Sequence, residues 1–188
     1  MKQFNSDVIK KFALDVKVGN TEKNTPYELV KEILSDQGRA KNAGNEYEEL
    51  WVVFDKDNHP KMLEAFSLAK SRGVKIAFSS VSFEYWILLH FRKTTKPYRS
   101  CSELIADLKK DLPNFEKNTK KIYLDVKDLT QLAIENAHHL RAQLATSHLG
   151  VPVYETNPYV NVDNLVQMLL NNGKNYSIPT DLKMTLKR

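Results

Sequence analysis

A continuous run of β-favouring residues that ends in two closely spaced acids constrains this chain more than any other feature. Residues 49–54, Glu-Leu-Trp-Val-Val-Phe, lead directly into Asp55 and Asp57. An unbroken apolar run of this length is typical of a strand covered on both faces. We therefore predict an interior parallel strand over residues 50–54, at the centre of a sheet, with both acids at its carboxyl end.

The next segment predicts a strand–helix–strand unit. Pro60 opens a helix with an apolar face that ends at Gly73, and residues 74–78 form the next strand. This alternation indicates a mostly parallel sheet with right-handed crossovers and helices on its faces. Residues 14–18 alternate like a further strand, so the fold class is α/β.

Helices dominate the rest of the chain. Thr25 and Pro26 carry the residue types of a helix cap and first helical position, and the polar segment 37–45 predicts a loop. Ser82 is the predicted cap of a helix over 83–91 that is apolar on nearly every side and hence deeply packed. Further helices are predicted over residues 102–112, 126–144 and 162–170, before a polar, basic tail at 173–188.

Composition excludes several classes of protein. A chain of 188 residues with 41% hydrophobic and 27% charged residues suits one soluble domain. Its apolar stretches are far shorter than the roughly 20 residues of a membrane span, and we expect a cytoplasmic protein. The single cysteine, Cys101, excludes an internal disulfide framework and is interpreted as a small half-buried residue near a helix start. The formal charge of +5 is modest but suits a polyanionic partner.

The acidic pair is the candidate site for chemistry. Ligands of open α/β sheets normally bind at the carboxyl ends of the strands, where Asp55 and Asp57 are predicted to lie. Mg²⁺ prefers one or two carboxylates together with waters and phosphate oxygens, so the pair could bind it beside a phosphodiester. Taken alone, two aspartates at this spacing are equally typical of a turn or a helix cap. The chain carries no P-loop, dinucleotide fingerprint or nucleophile elbow.

Three motifs in order resemble the RloB-like family. They are residues 51–57 (WVVFDKD), residues 80–91 (SVSFEYWILLHF) and residues 157–166 (NPYVNVDNLV). The resemblance covers about residues 14–172. It implies one domain over residues 1–172, with a Toprim-like, Rossmann-like core at about 10–92 and a helical C-terminal part at about 100–172.

The resemblance also implies a function. Proteins of this kind act in bacterial defence against phage, are often encoded with restriction genes, and have a partner with an AAA-type ATP-binding domain, here a nearby RloA-like ATPase. Toprim-like sites hold Mg²⁺ (or Mn²⁺) with two aspartates and a glutamate from an earlier strand–helix turn, and support phosphodiester cleavage. Asp55 and Asp57 match the aspartates and are the expected metal ligands.

The glutamate has no clear counterpart in this chain. Similar chains begin with an extra strand and a Glu-Gly-x-x-Thr-Glu turn, whereas this one starts within the helix that follows, so we expect the glutamate to be missing. A rival alignment treats residues 19–22, Gly-Asn-Thr-Glu, as a degenerate turn with Glu22 as a ligand.

The other candidate residues lie in or next to these motifs, and most of them allow two interpretations. Glu84 is either a third acidic catalytic group or a residue that favours the helix dipole. His90 has a packing role or acts as a general base. Lys56 could neutralise a phosphate, or lie in a loop as an exposed lysine, and His59 could reach the same edge.

Two functions follow as hypotheses. The first is Mg²⁺-dependent cleavage of DNA or RNA in an anti-phage system, with Asp55, Asp57 and Glu84 as catalytic residues. The second is a non-catalytic or partner-activated module of the same fold that docks to the ATPase and senses rather than cuts.

Overall fold

The computed structural model describes residues 18–19, 22–23, 25–117 and 121–173. Within them the chain forms seven α-helices, three strands and one 3₁₀ turn. In chain order these are α1 (Pro26–Asn42), β1 (Trp51–Asp55), α2 (Met62–Arg72), β2 (Lys75–Ser80), α3 (Glu84–Leu89), α4 (Cys101–Leu108), α5 (Ile122–Val126), the 3₁₀ turn (Lys127–Leu129), α6 (Thr130–Ser147), β3 (Tyr159–Val160) and α7 (Val162–Gly173). The α/β class is confirmed.

The three strands form a small mixed sheet. β1 and β2 are parallel, with Trp51 opposite Lys75 and Asp55 opposite Ser79. β3 is antiparallel to β2, and the strand order is β1-β2-β3. Among the described residues β2 is therefore the central strand, and the prediction that 50–54 is the centre of the sheet is wrong for this part of the chain.

The two faces of the sheet pack on different helices. Val52, Phe54 and Phe78 belong to an apolar cluster that also contains residues of α1 and α2. Ala77 belongs to a second, larger cluster with α3, α4 and α6. Since side chains alternate along a strand, Asp55 and Ser79 follow the Ala77 side of the sheet. Val53 on that side of β1 is 50% exposed, so the prediction that this strand is covered on both faces is only partly right.

The first helix begins as predicted and ends later. The Thr25 Oγ1 atom accepts a hydrogen bond from the Glu28 N–H, and Pro26 occupies the first turn. The helix continues to Asn42, through most of the predicted 37–45 loop. Gln37 explains the extension, because its side-chain amide donates to the Tyr47 carbonyl and accepts from the Tyr47 N–H, which ties the helix to the returning chain.

The helix after β2 is packed as predicted but is not capped as predicted. All six residues of α3 are buried. The Ser82 side chain does not cap it; its Oγ donates instead to the Cys101 Sγ at 3.3 Å. The predicted stop of the preceding helix at Gly73 is confirmed, where a φ of 69° favours glycine.

The predicted 126–144 helix is interrupted at its start. The 3₁₀ turn Lys127–Leu129 separates α5 from α6, and α6 buries Ala133, Ala137 and Leu140. The exposed residues Tyr123 and Leu124 lie on α5.

The third motif anchors the C-terminal segment to the sheet. The Asn161 side chain accepts from the Phe78 N–H at 2.7 Å and donates to the Ile76 carbonyl at 2.9 Å, as a neighbouring strand would. The fully buried Asp163 carboxylate accepts hydrogen bonds from both terminal guanidinium nitrogens of Arg141. These contacts fix β3 and α7 against β2 and α6.

The predicted strand 14–18 falls almost wholly outside the described residues. Val18, its last residue, is 67% exposed and has no regular secondary structure. The predicted tail beyond residue 173 also lies outside them. In the described segments no helix combines the length and the apolar character needed to cross a membrane.

Candidate metal centre

Asp55 lies at the carboxyl end of β1, half-buried, where the sheet meets the start of α3. Its carboxylate accepts a hydrogen bond from the Phe83 backbone N–H. Ser79 lies directly opposite it on β2. The predicted position of this acid at the sheet's carboxyl edge is therefore confirmed.

Glu84 is the second acid of this edge. It is the first residue of α3 and only 6% exposed. Its Oε2 accepts a hydrogen bond from the Cys101 thiol at 3.6 Å, and its Oε1 lies 3.9 Å from the Lys117 Nζ. The carboxylate thus lies where three segments meet: the start of α3, the start of α4, and the connection that follows α4.

The electrostatics of Asp55 reflect this crowding. The pKa of Asp55 is raised to about 6, first by burial and then by the charges of Glu84 and Asp57. The Phe83 N–H and the Lys117 ammonium act in the opposite direction. A carboxyl group that resists ionisation next to a second carboxylate is a place where a bound cation is strongly favoured.

Asp57 is near enough for its charge to raise the pKa of Asp55, but its side chain faces solvent. Its side chain is 74% exposed, and its Oδ2 lies 3.6 Å from the His59 Nε2. The Lys56 Nζ donates to the Glu155 carbonyl at 3.1 Å, so this lysine ties the loop after β1 to the segment before β3. His59 thus lies beside Asp57, whereas Lys56 makes a structural contact.

His90 is separate from the acids. It is 2% exposed, its Nδ1 lies 3.0 Å from the Trp86 carbonyl oxygen, and its ring packs edge-on against the Trp86 ring. Burial lowers its pKa, which favours the neutral imidazole. The contacts favour the packing reading over general-base chemistry.

Glu22, the ligand of the rival alignment, is exposed. Among the described residues no three His, Cys, Asp or Glu side chains form a group that could hold a metal ion. Glu22 therefore does not complete a three-ligand site with Asp55 and Asp57 in the part of the chain that the structure describes.

The donors at this edge nevertheless fit Mg²⁺. Asp55 and Glu84 offer carboxylate oxygens, and the buried Ser79 hydroxyl, on the same side of the sheet as Asp55, has no hydrogen-bond partner among the described residues. Buried hydroxyls normally find a partner. Mg²⁺ takes one or two protein carboxylates and completes its shell with water and phosphate oxygens, so two acids are chemically suited to contact it beside a substrate.

Sequence reasoning missed Lys117 and the neighbours of Cys101, whose predicted half-buried position at a helix start is confirmed. The Lys117 Nζ donates to the Cys101 Sγ at 3.6 Å, and the Glu84 and Cys101 side chains raise the pKa of Lys117. Lys117 is 33 positions from Glu84 in a polar segment, and only the folding of α4 against α3 brings the two together. Cys101 has a sequence signal, since it is the chain's single cysteine and begins a helix, but neither feature predicts its neighbours.

The comparisons with known proteins agree with the three motifs. A family model described as RloB-like protein matches residues 1–169. No curated protein and no solved structure matches the chain. Since the match covers most of the sequence and includes β1, α3 and α7 with the motifs they carry, the chain belongs to the RloB-like family.

Proposed function

We propose that this protein cleaves phosphodiester bonds of nucleic acid with Mg²⁺ (or Mn²⁺) as part of a bacterial defence against phage. One observation carries the proposal. Asp55 at the end of β1 and Glu84 at the start of the helix after β2 lie near enough at the carboxyl edge of the sheet that burial and the charge of Glu84 raise the Asp55 pKa to about 6. Perturbed acids at such an edge are typical of functional sites.

The roles of the side chains follow from their burial. Asp55 and Glu84 are the ligands that hold the metal, and the exposed Asp57 extends the acidic edge toward the substrate. A bound Mg²⁺ would offset the charge of the phosphodiester and lower the pKa of the attacking water. The Phe83 N–H fixes the orientation of the Asp55 carboxylate. We propose a Toprim-type centre in which Glu84 takes the role of the third acid.

A basic segment beside the acids supports a nucleic-acid substrate. Residues 92–117 contain seven Lys or Arg against four Asp or Glu, a surplus of +3 out of the whole chain's +5. A cavity of about 500 Å³ lies within this segment and is lined by Lys96, Pro97, Tyr98, Arg99, Glu103 and Asn157. Two of its lining residues, Arg99 and Glu103, flank Cys101 in the sequence, and Cys101 contacts Glu84. Positive charge next to an acidic metal site suits a phosphodiester backbone.

The defence role and the partner rest on family membership. We propose an AAA-type ATPase of the RloA-like kind as the partner and DNA or RNA as the substrate. The exposed apolar residues Tyr123 and Leu124 are the surface that we propose for contact with this partner.

A second function is favoured by Lys117. Its ammonium already balances the Asp55–Glu84 pair, and two carboxylates without a third are a weak metal site. On this alternative the chain is a sensor that docks to the ATPase and does not cut.

Cleavage assays separate the two functions. Mixed DNA and RNA substrates are incubated with the protein and its ATPase partner in Mg²⁺ or in EDTA, and the Asp55→Asn and Glu84→Gln variants are compared with Asp128→Asn, an exposed acid on the 3₁₀ turn. Metal-dependent cleavage that is lost in the first two variants and kept in the third supports the nuclease. Equal ATPase docking by all four proteins without any cleavage supports the sensor.

A further inference from the structure

The Glu84 carboxylate is poorly satisfied for a buried charge. Within the described part of the chain, its side-chain contacts are a thiol at 3.6 Å and an ammonium at 3.9 Å, and it is only 6% exposed. A thiol is a weak donor, and 3.9 Å exceeds a normal N–H···O distance. A buried carboxylate ordinarily takes several strong donors, because an uncompensated charge is expensive to bury. The oxygens of Glu84 are therefore held loosely enough to accept another cation.

Lys117 is placed for this role by its neighbours. Phe115, two residues earlier, is 4% exposed and packs in the larger apolar cluster, which fixes the backbone next to the acids. The Lys117 side chain itself is 59% exposed. A four-carbon stem anchored at its base and free at its tip can reach the carboxylates or turn away from them.

We propose that Lys117 is the exchangeable counter-ion of the Asp55–Glu84 pair: its ammonium balances the carboxylates until a divalent cation takes that place, and it then binds a phosphodiester oxygen of the nucleic acid. The inference rests on the proposed metal-dependent function. It assigns one lysine two successive partners of the same charge, first the protein's carboxylates and then the substrate's phosphate.

The first test is calorimetric titration with Mn²⁺ in the absence of nucleic acid. Lys117→Met removes the charge and keeps the length of the side chain, Lys117→Arg keeps the charge, and Lys109→Met removes an equal charge just past the far end of α4, roughly 10 Å or more from Cys101. We expect Lys117→Met to bind Mn²⁺ roughly two- to fivefold more tightly than the other proteins, as removal of a half-exposed ionic competitor predicts.

The second test measures binding of a labelled single-stranded oligonucleotide in Ca²⁺. Lys117→Met should bind it more weakly than the wild-type protein by roughly threefold or more, since one phosphate contact is lost, and Lys117→Arg should restore most of the affinity. Circular dichroism checks that each variant is folded, as the exposure of Lys117 leads us to expect.

The outcomes distinguish this inference from the proposed function. Mn²⁺ binding that Asp55→Asn removes, but that Lys117→Met does not strengthen relative to Lys109→Met, overturns the counter-ion role alone. Unchanged oligonucleotide affinity in Lys117→Met overturns the phosphate contact. Absence of any Asp55-dependent Mn²⁺ binding overturns both the metal centre and the exchange.

Discussion

Asp55 combines an energetic cost with the functional role that we propose for it. Its pKa is raised from 3.8 to about 6, first by burial and then by Glu84 and Asp57. The folded protein therefore binds more protons than the unfolded chain between about pH 4 and pH 6, and stability falls as the pH rises through this window. A residue that destabilises the protein in its ionised form is expected where the charge serves a ligand.

Asp55→Asn should therefore stabilise the metal-free protein at neutral pH. The amide oxygen can still accept from the Phe83 N–H, while the charge and its repulsion by Glu84 are removed. One pKa unit corresponds to about 1.4 kcal/mol, and solvent screening at a half-buried group reduces the effect, so we expect a gain of about 1–2 kcal/mol at pH 7.5.

The measurement is urea unfolding in EDTA from pH 4 to pH 8. The gain should shrink as the pH falls and be mostly lost near pH 4, where the wild-type carboxyl is protonated in the folded protein and about half protonated in the unfolded chain. Adding Mg²⁺ at pH 7.5 should raise the melting temperature of the wild-type protein and leave that of Asp55→Asn unchanged. A variant less stable than the wild type at pH 7.5 in EDTA would show that the Asp55 charge is well compensated.

The residues of the candidate site differ in how far sequence predicts them. Asp55 could be placed because it follows an apolar run directly, and position along a strand is a local property. Asp57, two residues later, was expected to share the metal, but it lies past the strand end and its orientation depends on the loop. Lys117 could not be found, because its approach to Glu84 depends on how α4 packs against α3.

At the scale of elements, a single asparagine side chain makes the hydrogen bonds that a longer strand would make. β3 has only two residues, and the Asn161 side chain extends its pairing by bonding the Phe78 N–H and the Ile76 carbonyl of β2. Two good hydrogen bonds hold the C-terminal segment where two residues of ladder alone would not.

Asn161→Ala should loosen this attachment. The change leaves the Phe78 N–H and the Ile76 carbonyl without their side-chain partner, at a cost of about 2 kcal/mol. Chemical unfolding gives the free energy, and amide hydrogen exchange at Phe78 should accelerate. Asn164→Ala, an exposed position in α7, is the matched control and should change stability by less than about 0.5 kcal/mol. Equal effects of the two substitutions would show that the Asn161 bonds contribute nothing.

Elements with strong local signals were predictable, and those fixed by partners were not. Thr25 and Pro26 begin a helix through their own chemistry, and Gly73 ends one through its positive φ. The extension of α1 to Asn42 depends on the Gln37 contact with Tyr47, ten residues away. Ser82 has a side chain of the capping type, but its hydroxyl donates a hydrogen bond to the Cys101 sulfur instead of capping the helix. β3 escaped prediction because two residues carry no periodicity.

At the scale of the whole molecule, acidic residues and a surplus of basic residues occupy different segments near the carboxyl edge of the sheet. The acids occupy the strand ends, and the surplus of positive charge in residues 92–117 lies beside them. On the proposed function, a nucleic acid drawn to the basic segment would bring its phosphates to the carboxylates. Binding and cleavage can then fail independently, because different residues carry them.

The isolated chain should cut slowly, because its described acids provide only part of a Toprim-type site. Asp55 and Glu84 meet, Asp57 is exposed, and no three metal-binding side chains converge within the described segments. A displacement of about 1 Å in a reacting group can cost on the order of a hundredfold in rate, so a loosely held cation should cost at least that much. We expect cleavage by the chain alone to be weak, and to rise on the order of a hundredfold when the ATPase partner and ATP are supplied.

Time courses on mixed DNA and RNA substrates test this, with and without the partner, for the wild-type protein and for Asp55→Asn. Robust Mg²⁺-dependent cleavage by the isolated chain that disappears in Asp55→Asn would show that Asp55 and Glu84 suffice and that the partner is not needed to complete the centre. Cleavage that survives Asp55→Asn would remove this aspartate from the mechanism, since a strand-end carboxylate that holds the metal cannot be replaced by a neutral amide without a large loss of rate.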